Sequence, residues 1–440
     1  MAEQDQPTEE PKGVRLVLRA LAYRNYRLYF FGQGISLVGT WIQRIAMSWL
    51  VYDLTHSALW LGIIGFVSQL PTLLLGPVSG VFVDRWDLRR LLVITQAVSM
   101  VQALILAILV LLHWIQVWEV MALGMLLGAV NAFDMPARQS LVVHMVERKE
   151  DLGNAIALNS AMFNSARLIG PSVAGILVAV VGEGMCFLIN GLSYIAVIWA
   201  LLAMSINLRQ PRAAAGRIRH QFREGAAYVF GFAPIRWILI LLALISLVGM
   251  PYQVLMPVIA KDILKGDAKT LGFLMAAAGA GALLGALCMA ARRSVRGLWR
   301  WITVAPALFG VGLICFGQSQ TLWLSMAMLV ATGFFMITHM SSCNTMLQTI
   351  ADDDKRGRVM SFYMMAFAGT APFGSLLAGG VAQRLGAPLT ITLCGVASIL
   401  GAMFFATQVR SVRRAVQPIY ERLGIVTPPP IPDVDSTGSQ

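Results

Sequence analysis

The sequence has 440 residues, is 57% hydrophobic and only 13% charged, and carries a formal net charge of +12. Soluble domains are about a quarter charged, so this composition excludes an ordinary soluble domain and indicates an integral membrane protein. The positive charge does not indicate a nucleic-acid partner, because Lys and Arg cluster between apolar runs, where they set membrane topology. The five cysteines show no paired spacing, which argues against a disulfide framework or a metal site. No cofactor is expected.

Residues 1–27 are predicted to form a cytoplasmic N-terminal segment. Residues 1–13 are polar and acidic, so they lack the features of a cleavable signal peptide. Between residues 14 and 27, Val14, Val17, Leu18 and Leu21 share one helical face. This pattern favours a short amphipathic helix in the membrane interface, although an extension of the first span fits the same residues equally well.

Apolar runs long enough to cross about 30 Å of hydrocarbon then follow along the chain. They form two groups of six, in residues 28–205 and 235–408, with a cytoplasmic linker over 206–234. A basic, Pro-rich and disordered cytoplasmic tail is expected over 409–440. The predicted fold is all-α and membrane-integral, with twelve transmembrane helices in two pseudo-symmetric six-helix bundles. The predicted spans are 28–52, 57–83, 89–112, 116–137, 155–181, 184–205, 235–259, 269–291, 300–317, 320–343, 358–383 and 387–408.

The distribution of basic residues predicts the orientation. With the N-terminus inside, most of the 34 Lys and Arg residues fall in cytoplasmic segments, where basic residues beside membrane helices are retained. Both termini are therefore expected in the cytoplasm. The exceptions are four residues of the external loops and two inside the membrane, namely Lys261, Lys265, Lys269, Arg384, Arg44 and Arg167.

The two halves have the pattern of a degenerate repeat. Asp134-Met-Pro near the end of span 4 matches His339-Met-Ser near the end of span 10, and each leads into a charged loop. Two weakly similar halves are typical of secondary transporters. The same comparison pairs Gly76 and Gly80 of span 2 with Gly281 and Gly285 of span 8.

The turn between spans 2 and 3 has a specific spacing. Gly80 is followed four residues later by Asp84, and then by Arg85, Arg89 and Arg90. This pattern resembles motif A of the major facilitator superfamily of secondary transporters. The resemblance implies a cytoplasmic gate, in which the acid accepts backbone donors from span 11 when the cytoplasmic side is closed.

Two positions depart from this motif. Asp87 stands where a glycine is usual, and Leu88 stands at the first basic place. Arg89 is the expected substitute for that missing basic residue. The resemblance also favours Asp134 as the partner of Arg89, over a role for Asp134 as a substrate ligand.

Two further stretches narrow the resemblance. Gly170, Pro171 and Gly175 in span 5 resemble motif C of exporters, where a bend at proline and close packing at glycine imply a hinge between the halves. Residues 39–43 and 131–139 resemble the branch containing the bacterial enterobactin exporter and related drug and macrolide exporters. This likeness covers roughly residues 20–410 and implies proton-driven export by a monomer in the bacterial inner membrane. The Arg and Gln-Gly of motif B are absent from residues 118–128.

Polar residues within the spans are costly and usually mark pathways. Arg44 and Arg167 are deep in spans 1 and 5, and the alternative is that each is tied to a carboxylate or to carbonyls for structure. With Asp134 the clearest deep acid, two deep arginines predict a preference for anionic or strongly hydrogen-bonding, catechol-like substrates over quaternary ammonium drugs. The candidate substrate or proton cavity comprises Gln33, Gln43, Arg44, Asn131, Asn164, Arg167 and His339.

The predicted function is secondary active transport, as a proton-coupled exporter of an amphipathic small molecule such as a siderophore or a drug. A uniporter, an importer or a lysolipid flippase on the same fold is the first alternative. A non-transporting membrane scaffold or sensor is the second. An enzyme is not expected, because the sequence has no nucleophile–base pair, no metal-ligand spacing and no phosphate-binding Gly-Lys-Ser/Thr loop.

Overall fold

A computed structural model describes residues 18–83, 85–205, 218–292 and 294–422. In these ranges, ten helices are long and apolar enough to cross a membrane. Arg24–Thr55, with 32 residues, is a further span that carries more polar side chains. Lys149–Ala203 is two helices joined at Gly182, whose φ of 80° and ψ of 170° are not helical. The described part of the chain therefore contains the twelve predicted spans.

The spans pack as two sets of six, in chain order. The first set is α1 (Arg24–Thr55), α2 (Ala58–Val83), α3 (Leu88–Leu111), α4 (Val117–His144), α5 (149–181) and α6 (183–203). A linker helix, Ile218–Gly231, leads to the second set. The second set is α7 (Ala233–Ile263), α8 (Ala268–Ala290), α9 (Leu298–Gln318), α10 (Leu322–Ile350), α11 (Arg356–Leu385) and α12 (Ala387–Arg422).

The two ends of the chain differ from the prediction. Arg19–Ala22 is a single 3-10 turn and α1 already begins at Arg24, so the described part of the expected amphipathic helix is not one helix. At the other end, α12 continues to Arg422 with Val412 and Val416 buried. The expected disordered tail is therefore helical over its first 14 residues, and residues 423–440 lie outside the described ranges.

The N-terminal turn is fixed to the start of α5. Arg19 pairs with Asp151 at 2.8 Å, and the hydroxyl of Tyr23 donates to the same carboxylate at 2.7 Å. Burial of the phenol, followed by this carboxylate, raises the pKa of Tyr23 above its ordinary value. Tyr23 therefore stays neutral, and able to donate, at physiological pH.

Short connections make successive helices antiparallel and give the bundle two different ends. The terminal end holds Leu18, Arg422 and the long connection from α6 to α7. The far end holds the short turns after the odd-numbered spans, such as residues 56–57 and Gly386. Basic residues crowd the terminal end, as in the linker helix and in Arg410, Arg413 and Arg414 of α12.

The halves pack as copies of one another. A Cβ on Gly128 of α4 would meet the Ser68 carbonyl of α2, and a Cβ on Gly333 of α10 would meet the Ala278 carbonyl of α8. Gly128 and Gly333 differ in residue number by the same amount as Asp134 and His339. The predicted match of Asp134 with His339 is therefore confirmed.

The predicted match of Gly76 and Gly80 with Gly281 and Gly285 is wrong in register. Ser68 and Ala278 occupy corresponding positions in the two halves. The difference in residue number between corresponding positions is therefore larger for α2 and α8 than for α4 and α10. Gly281 and Gly285 instead pack against the backbone of α10, whereas Gly76 faces open space. The longer turn before α8 shifts the repeat, which a fixed interval along the sequence does not reveal.

The two halves meet at two glycine crossings. A Cβ on Gly175 of α5 would lie 2.8 Å from the Cα of Gly272 in α8. A Cβ on Gly379 of α11 would lie equally close, at 2.8 Å, to the Cα of Gly62 in α2. Only glycine lets two backbones approach this closely, so the close packing predicted for Gly175 is confirmed.

Contacts between the halves concentrate toward the far end. From the two crossings they extend to Leu73 of α2, which faces Gly369, and to Arg167 of α5, whose carbonyl faces Gly279. Phe66 and Phe373 add an edge-to-face ring contact at 5.5 Å. In the described residues, these contacts close the space between the halves at the far end, and no glycine or ring contact joins the halves at the terminal end.

Candidate functional site

The space between the halves reaches its closed end near the middle of α5. Helices of both halves line it there, namely α1, α5, α7 and α8. A tryptophan ring, a proline and a methionine supply apolar surface, while an arginine and a glutamine supply polar groups. The wall at this closed end therefore combines apolar and polar groups. The lining residues include Trp41, Arg167, Pro171, Gln253, Met275 and Gly279.

Two arginines give this cavity its charge. The guanidinium carbon of Arg44 lies 4.6 Å from the centroid of the Trp41 ring, and the charge of Arg167 repels that of Arg44. Arg167 lines the cavity and is half-buried, and Arg44 is an exposed side chain that packs on the lining residue Trp41. Among the residues described, no acidic side chain pairs with either arginine.

The charge of the two arginines is therefore left uncompensated. A cation–π contact stabilises a guanidinium by about 0.5–2 kcal/mol, but it does not neutralise the charge. The alternative that each arginine is neutralised by a carboxylate is not met in the described residues. An anionic ligand between Arg44 and Arg167 would supply the missing counter-charge.

The other predicted cavity residues separate into two groups. Asn131 and Asn164 are half-buried, and the side-chain amide of Asn164 donates to the carbonyl of Ser160 in its own helix at 2.9 Å. His339, Gln33 and Gln43 are fully buried, so their predicted place in the cavity is wrong. His339 packs inside the second half, against the backbone of α9 at Ile302.

Gln43 lies inside the first half, between three helices. Its amide nitrogen donates to Oε1 of Gln102 in α3 at 3.0 Å, and its own Oε1 accepts from the amide of Asn190 in α6 at 2.6 Å. Gln33 and Ser36 lie on the same side of α1 and are also buried. Helical periodicity shows that these residues share a face, but it does not show whether that face meets the cavity or neighbouring helices.

Asp134 is bound inside the same half. One oxygen accepts from Oγ1 of Thr95 at 2.8 Å and from Nε2 of Gln96 at 2.6 Å. The other pairs with Arg138, one turn along α4, at 2.5 Å. The predicted pairing of Asp134 with Arg89 is wrong in this structure, because the nearer arginine on its own helix face occupies the carboxylate. Asp134 therefore compensates Arg138 and leaves Arg44 and Arg167 without a counter-charge.

These residues lie on facing sides of four helices inside the first half, and we call them the polar column. Five of its buried side-chain atoms have no hydrogen-bond partner among the described residues: Gln33 Nε2, Ser36 Oγ, Gln96 Oε1, Gln102 Nε2 and Arg138 Nε. An unsatisfied buried polar group costs about 1–3 kcal/mol, so such a column is unusual unless other partners enter it. The polar column comprises Tyr29, Gln33, Ser36 and Gln43 of α1, Thr95, Gln96, Ser99 and Gln102 of α3, Asp134 and Arg138 of α4, and Asn190 and Tyr194 of α6.

Comparison with known proteins agrees with this architecture. The family described as transmembrane secretion effector, within the major facilitator superfamily, matches residues 18–420. The chain belongs to this family. It is 27% identical to the staphyloferrin A transporter of Staphylococcus aureus, over 86% of this chain and 94% of that protein. It is 26% identical to the multidrug efflux pump Tap of Mycolicibacterium fortuitum, over 85% and 93%.

A solved structure shares this fold. It is a bacterial homologue of the human lysosomal transporter Spinster in an inward-facing, unoccupied conformation, with a TM-score of 0.70 and 11% identity, covering 89% of this chain and 98% of that one. By its family and its relatives, the protein is a multi-pass membrane transporter of the major facilitator superfamily and not an enzyme.

The superfamily's motif A region is only partly visible. Asp84 lies outside the described residues, and Gly80 belongs to the last turn of α2. Nε of Arg89 donates to the carbonyl of Leu201 at 2.7 Å, and its Nη2 to that of Leu202. Free carbonyls at a helix C-terminus attract cations, so Arg89 caps α6.

Of the remaining motif A positions, Leu88 is buried, while Arg85, Asp87 and Arg90 lie on the surface. Asp87, where the superfamily motif has a glycine, caps the start of α3 by accepting from the backbone N–H of Arg90 at 3.0 Å. Arg85 and the side chain of Arg90 are exposed at the terminal end. These contacts hold the turn on the first half, and the described residues show no bond from it to the second half.

A set of contacts at the far end was missed by sequence analysis. The hydroxyl of Tyr52 in α1 donates to Asp262 of α7, and Lys261 pairs with Asp53 at 2.5 Å. We call these four residues the far-end clamp. Tyr52-Asp53 lies at the end of the first helix of the first half, and Lys261-Asp262 lies at the end of the first helix of the second half. This matching position in the sequence is the signal that would have found them.

The clamp is carried by an interrupted helix. Predicted as one continuous span, α7 changes to a 3-10 turn at Met250–Gln253 and to a π-helix at Ile259–Ile263. Pro251 and Pro257 remove backbone donors at the interruption, and both were visible in the sequence. Discontinuous helices often form transporter binding sites, and here the interruption places Gln253 at the closed end of the cavity.

Proposed function

We propose that this transporter is a proton-coupled exporter of anionic, amphipathic small molecules, of siderophore or drug-like character. The observation that carries the proposal is the pair of cavity arginines, Arg44 and Arg167, with no acidic partner in the described residues. Trp41, Pro171 and Met275 beside them offer the apolar surface that an amphipathic molecule needs. The names of the relatives, a siderophore transporter and a multidrug efflux pump, support this substrate class.

We also propose that the terminal end faces the cytoplasm of a bacterium, across its inner membrane. Basic residues concentrate at that end, and such residues remain on the cytoplasmic side. A cavity that opens toward the terminal end would then be inward-facing and would load substrate from the cytoplasm. Alternating access would follow when the cytoplasmic ends close and the glycine crossings near the far end part.

The residues of motifs A and C have separate roles in this proposal. Asp84, Arg85, Arg89 and Arg90 would form the gate that holds the cytoplasmic side closed. The hinge would be formed at Gly170, Pro171 and Gly175, supported by the close approach of Gly175 to Gly272 and by the packing of Gly170 against Trp41. An importer or a uniporter would use the same cavity, and only the direction of net flux distinguishes them.

Transport by purified protein in liposomes tests the proposal. The probes are carboxyfluorescein, an aromatic carboxylate, and ethidium, an aromatic cation, each driven by an imposed pH gradient. Arg44→Gln and Arg167→Gln should each lower carboxyfluorescein transport about tenfold or more, because a hydrogen bond to a charged group is worth about 1.5–3 kcal/mol and 1.4 kcal/mol is tenfold. Arg384→Gln, at the surface of the far end, is the matched control.

Three results would count against the proposal. Ethidium could be the better probe and be unaffected by Arg44→Gln, in which case Arg44 is structural. Carboxyfluorescein could fail to accumulate in response to the gradient in the wild type, which would refute proton coupling. Net flux directed only toward the cytoplasmic side would identify an importer.

A further inference from the structure

The polar column is built to hold something other than its own side chains. Along α1 it extends from Tyr29 to Gln43, a length of about 21 Å at 1.5 Å per residue. Its two ends are bonded, by Asp134 with Arg138 and by Gln43 with Asn190. Between and around them, Gln33 and Ser36 are buried to at least 98%, and Gln33 Nε2 and Ser36 Oγ have no hydrogen-bond partner among the described residues. Water is the usual partner of such buried groups.

The second half shows that the fold does not require this polarity. In the second half, Phe309 of α9 packs against Gly249 and Tyr252 of α7. In the first half, Gln102 of α3 makes the corresponding contact with Gln43 of α1. Ile302 faces His339, as Thr95 faces Asp134. Both apolar side chains are fully buried. At these two positions the second half places hydrocarbon where the first half has an amide and a hydroxyl, while the position of Asp134 is taken by the buried His339.

We propose that the polar column is a water-filled compartment and that Asp134 is the residue that binds the coupling proton. The inference rests on the proposed function, since it names the site of proton coupling there. Asp134 is a carboxylate buried within the spans, and its exposed fraction is 3%. The charged and titratable groups that face it among the described residues are Arg138 of α4, Tyr29 of α1 and Tyr194 of α6.

The proposed proton transfer takes place at the ion pair of Asp134 with Arg138. A hydronium ion in the column would give its proton to Oδ2 of Asp134, forming an O–H bond and leaving a water molecule. The carboxyl group would then be neutral, so it would release Arg138, which is 2.5 Å away in the present structure. The reverse step returns the proton to water and restores the pair. The paired state described here corresponds to the stage after proton release.

Release of Arg138 would act at a weak point of α4. Pro136 lies in the helix between Asp134 and Arg138, and a proline within a helix removes one backbone hydrogen bond and permits a bend. On α1, the column residue Gln43 is adjacent to Arg44 in the cavity. Proton binding and substrate binding would therefore act on one helix, through neighbouring residues.

Infrared difference spectroscopy of the full-length protein in lipid tests the inference without a substrate. When the pH is lowered, the wild type should show the C=O band of a newly protonated buried carboxyl group, and Asp134→Asn should lose it. Glu119→Gln, at a half-buried acid that caps the start of the same helix, should keep the band. A band retained in Asp134→Asn would overturn the assignment of the proton to Asp134.

Because Asp134→Asn leaves Arg138 buried without its partner, the charge-balanced variant Asp134→Asn/Arg138→Gln provides a second measurement. In liposomes it should exchange carboxyfluorescein across the membrane at equal pH, yet a pH gradient should produce no accumulation. Gradient-driven accumulation equal to the wild type would refute the inference while leaving the proposed function intact. A wild type that itself ignores the gradient would refute proton coupling, which is a distinguishable result.

Discussion

The glycine crossing between α2 and α11 offers a sharp test of alternating access, because two adjacent glycines have opposite surroundings. A Cβ on Gly379 would lie 2.7 Å from the carbonyl oxygen of Ala58 and 2.8 Å from the Cα of Gly62. A Cβ on Gly380, the next residue, would meet nothing within 4 Å. Gly379→Ala should therefore force the halves apart, and Gly380→Ala should not.

The size of the effect follows from these distances. Ordinary contacts of a Cβ begin at about 3.4 Å, so the two backbones must separate by several tenths of an ångström. Overpacking of this kind costs about 1–3 kcal/mol. The cost falls only on the conformation closed at the far end, so the ratio of far-end-open to far-end-closed molecules should rise about 5- to 150-fold. The gain in helix propensity from Gly to Ala is common to both variants and cancels.

Distances between spin labels on Leu59 of α2 and Arg384 of α11, both exposed at the far end, measure this ratio in lipid nanodiscs. Gly379→Ala should populate a longer distance that is minor in the wild type and in Gly380→Ala. Identical distance distributions for Gly379→Ala and Gly380→Ala would refute the conclusion that this crossing holds the far end closed. Gly175→Ala, with Gly153→Ala as its open-space control on α5, repeats the test at the second crossing.

Two further substitutions test the ends of the molecule. Tyr52→Phe removes the hydroxyl that donates to Asp262 in the far-end clamp. Because Asp262 is exposed, the closed far end should lose only about 0.5–1.5 kcal/mol of stability, which corresponds to a roughly two- to tenfold rise in thiol labelling of a cysteine placed at Leu59. Unchanged labelling would show that the clamp does not hold the far end. Asp84→Asn should reduce transport while the amount of protein in the membrane stays normal, because an acid that accepts helix N-terminal donors contributes about 0.3–1 kcal/mol or more to the state closed in the cytoplasm. Normal transport by a well-expressed Asp84→Asn protein would contradict the gate.

The sequence predicted those features that depend on local pattern. Twelve spans, the repeat that relates Asp134 to His339, and the close packing at Gly175 all follow from hydrophobic length, spacing and residue size, and the structure agrees. The two cavity arginines were found because a charge within an apolar run is conspicuous in any sequence.

Features that depend on the direction of a helix face were not predicted. The polar stripe of α1 was assigned to the cavity as a whole, but Gln43 turns toward Gln102 and Asn190 while Arg44, the next residue, reaches the cavity. A rotation of α1 by one residue about its axis decides whether a side chain faces the neighbouring helices or the cavity. Packing of α1 against α3 and α6 fixes this rotation. Likewise, Asp134 pairs with Arg138 because a partner one turn away needs no approach of separate segments.

The position of the glycine crossings sets how far a rigid movement can open either end. Gly62 lies about 6 Å from the far end of α2 and about 32 Å from its terminal end, at 1.5 Å per residue. If the crossing acts as a fulcrum, a rotation that moves the terminal ends by a given distance moves the far ends by about one fifth of it. A cavity wide enough for a ligand would therefore not open to the outside by rocking alone. The fulcrum itself must shift toward the terminal end, or the helices must bend, and Pro171 and Pro136 are placed where such bends would occur.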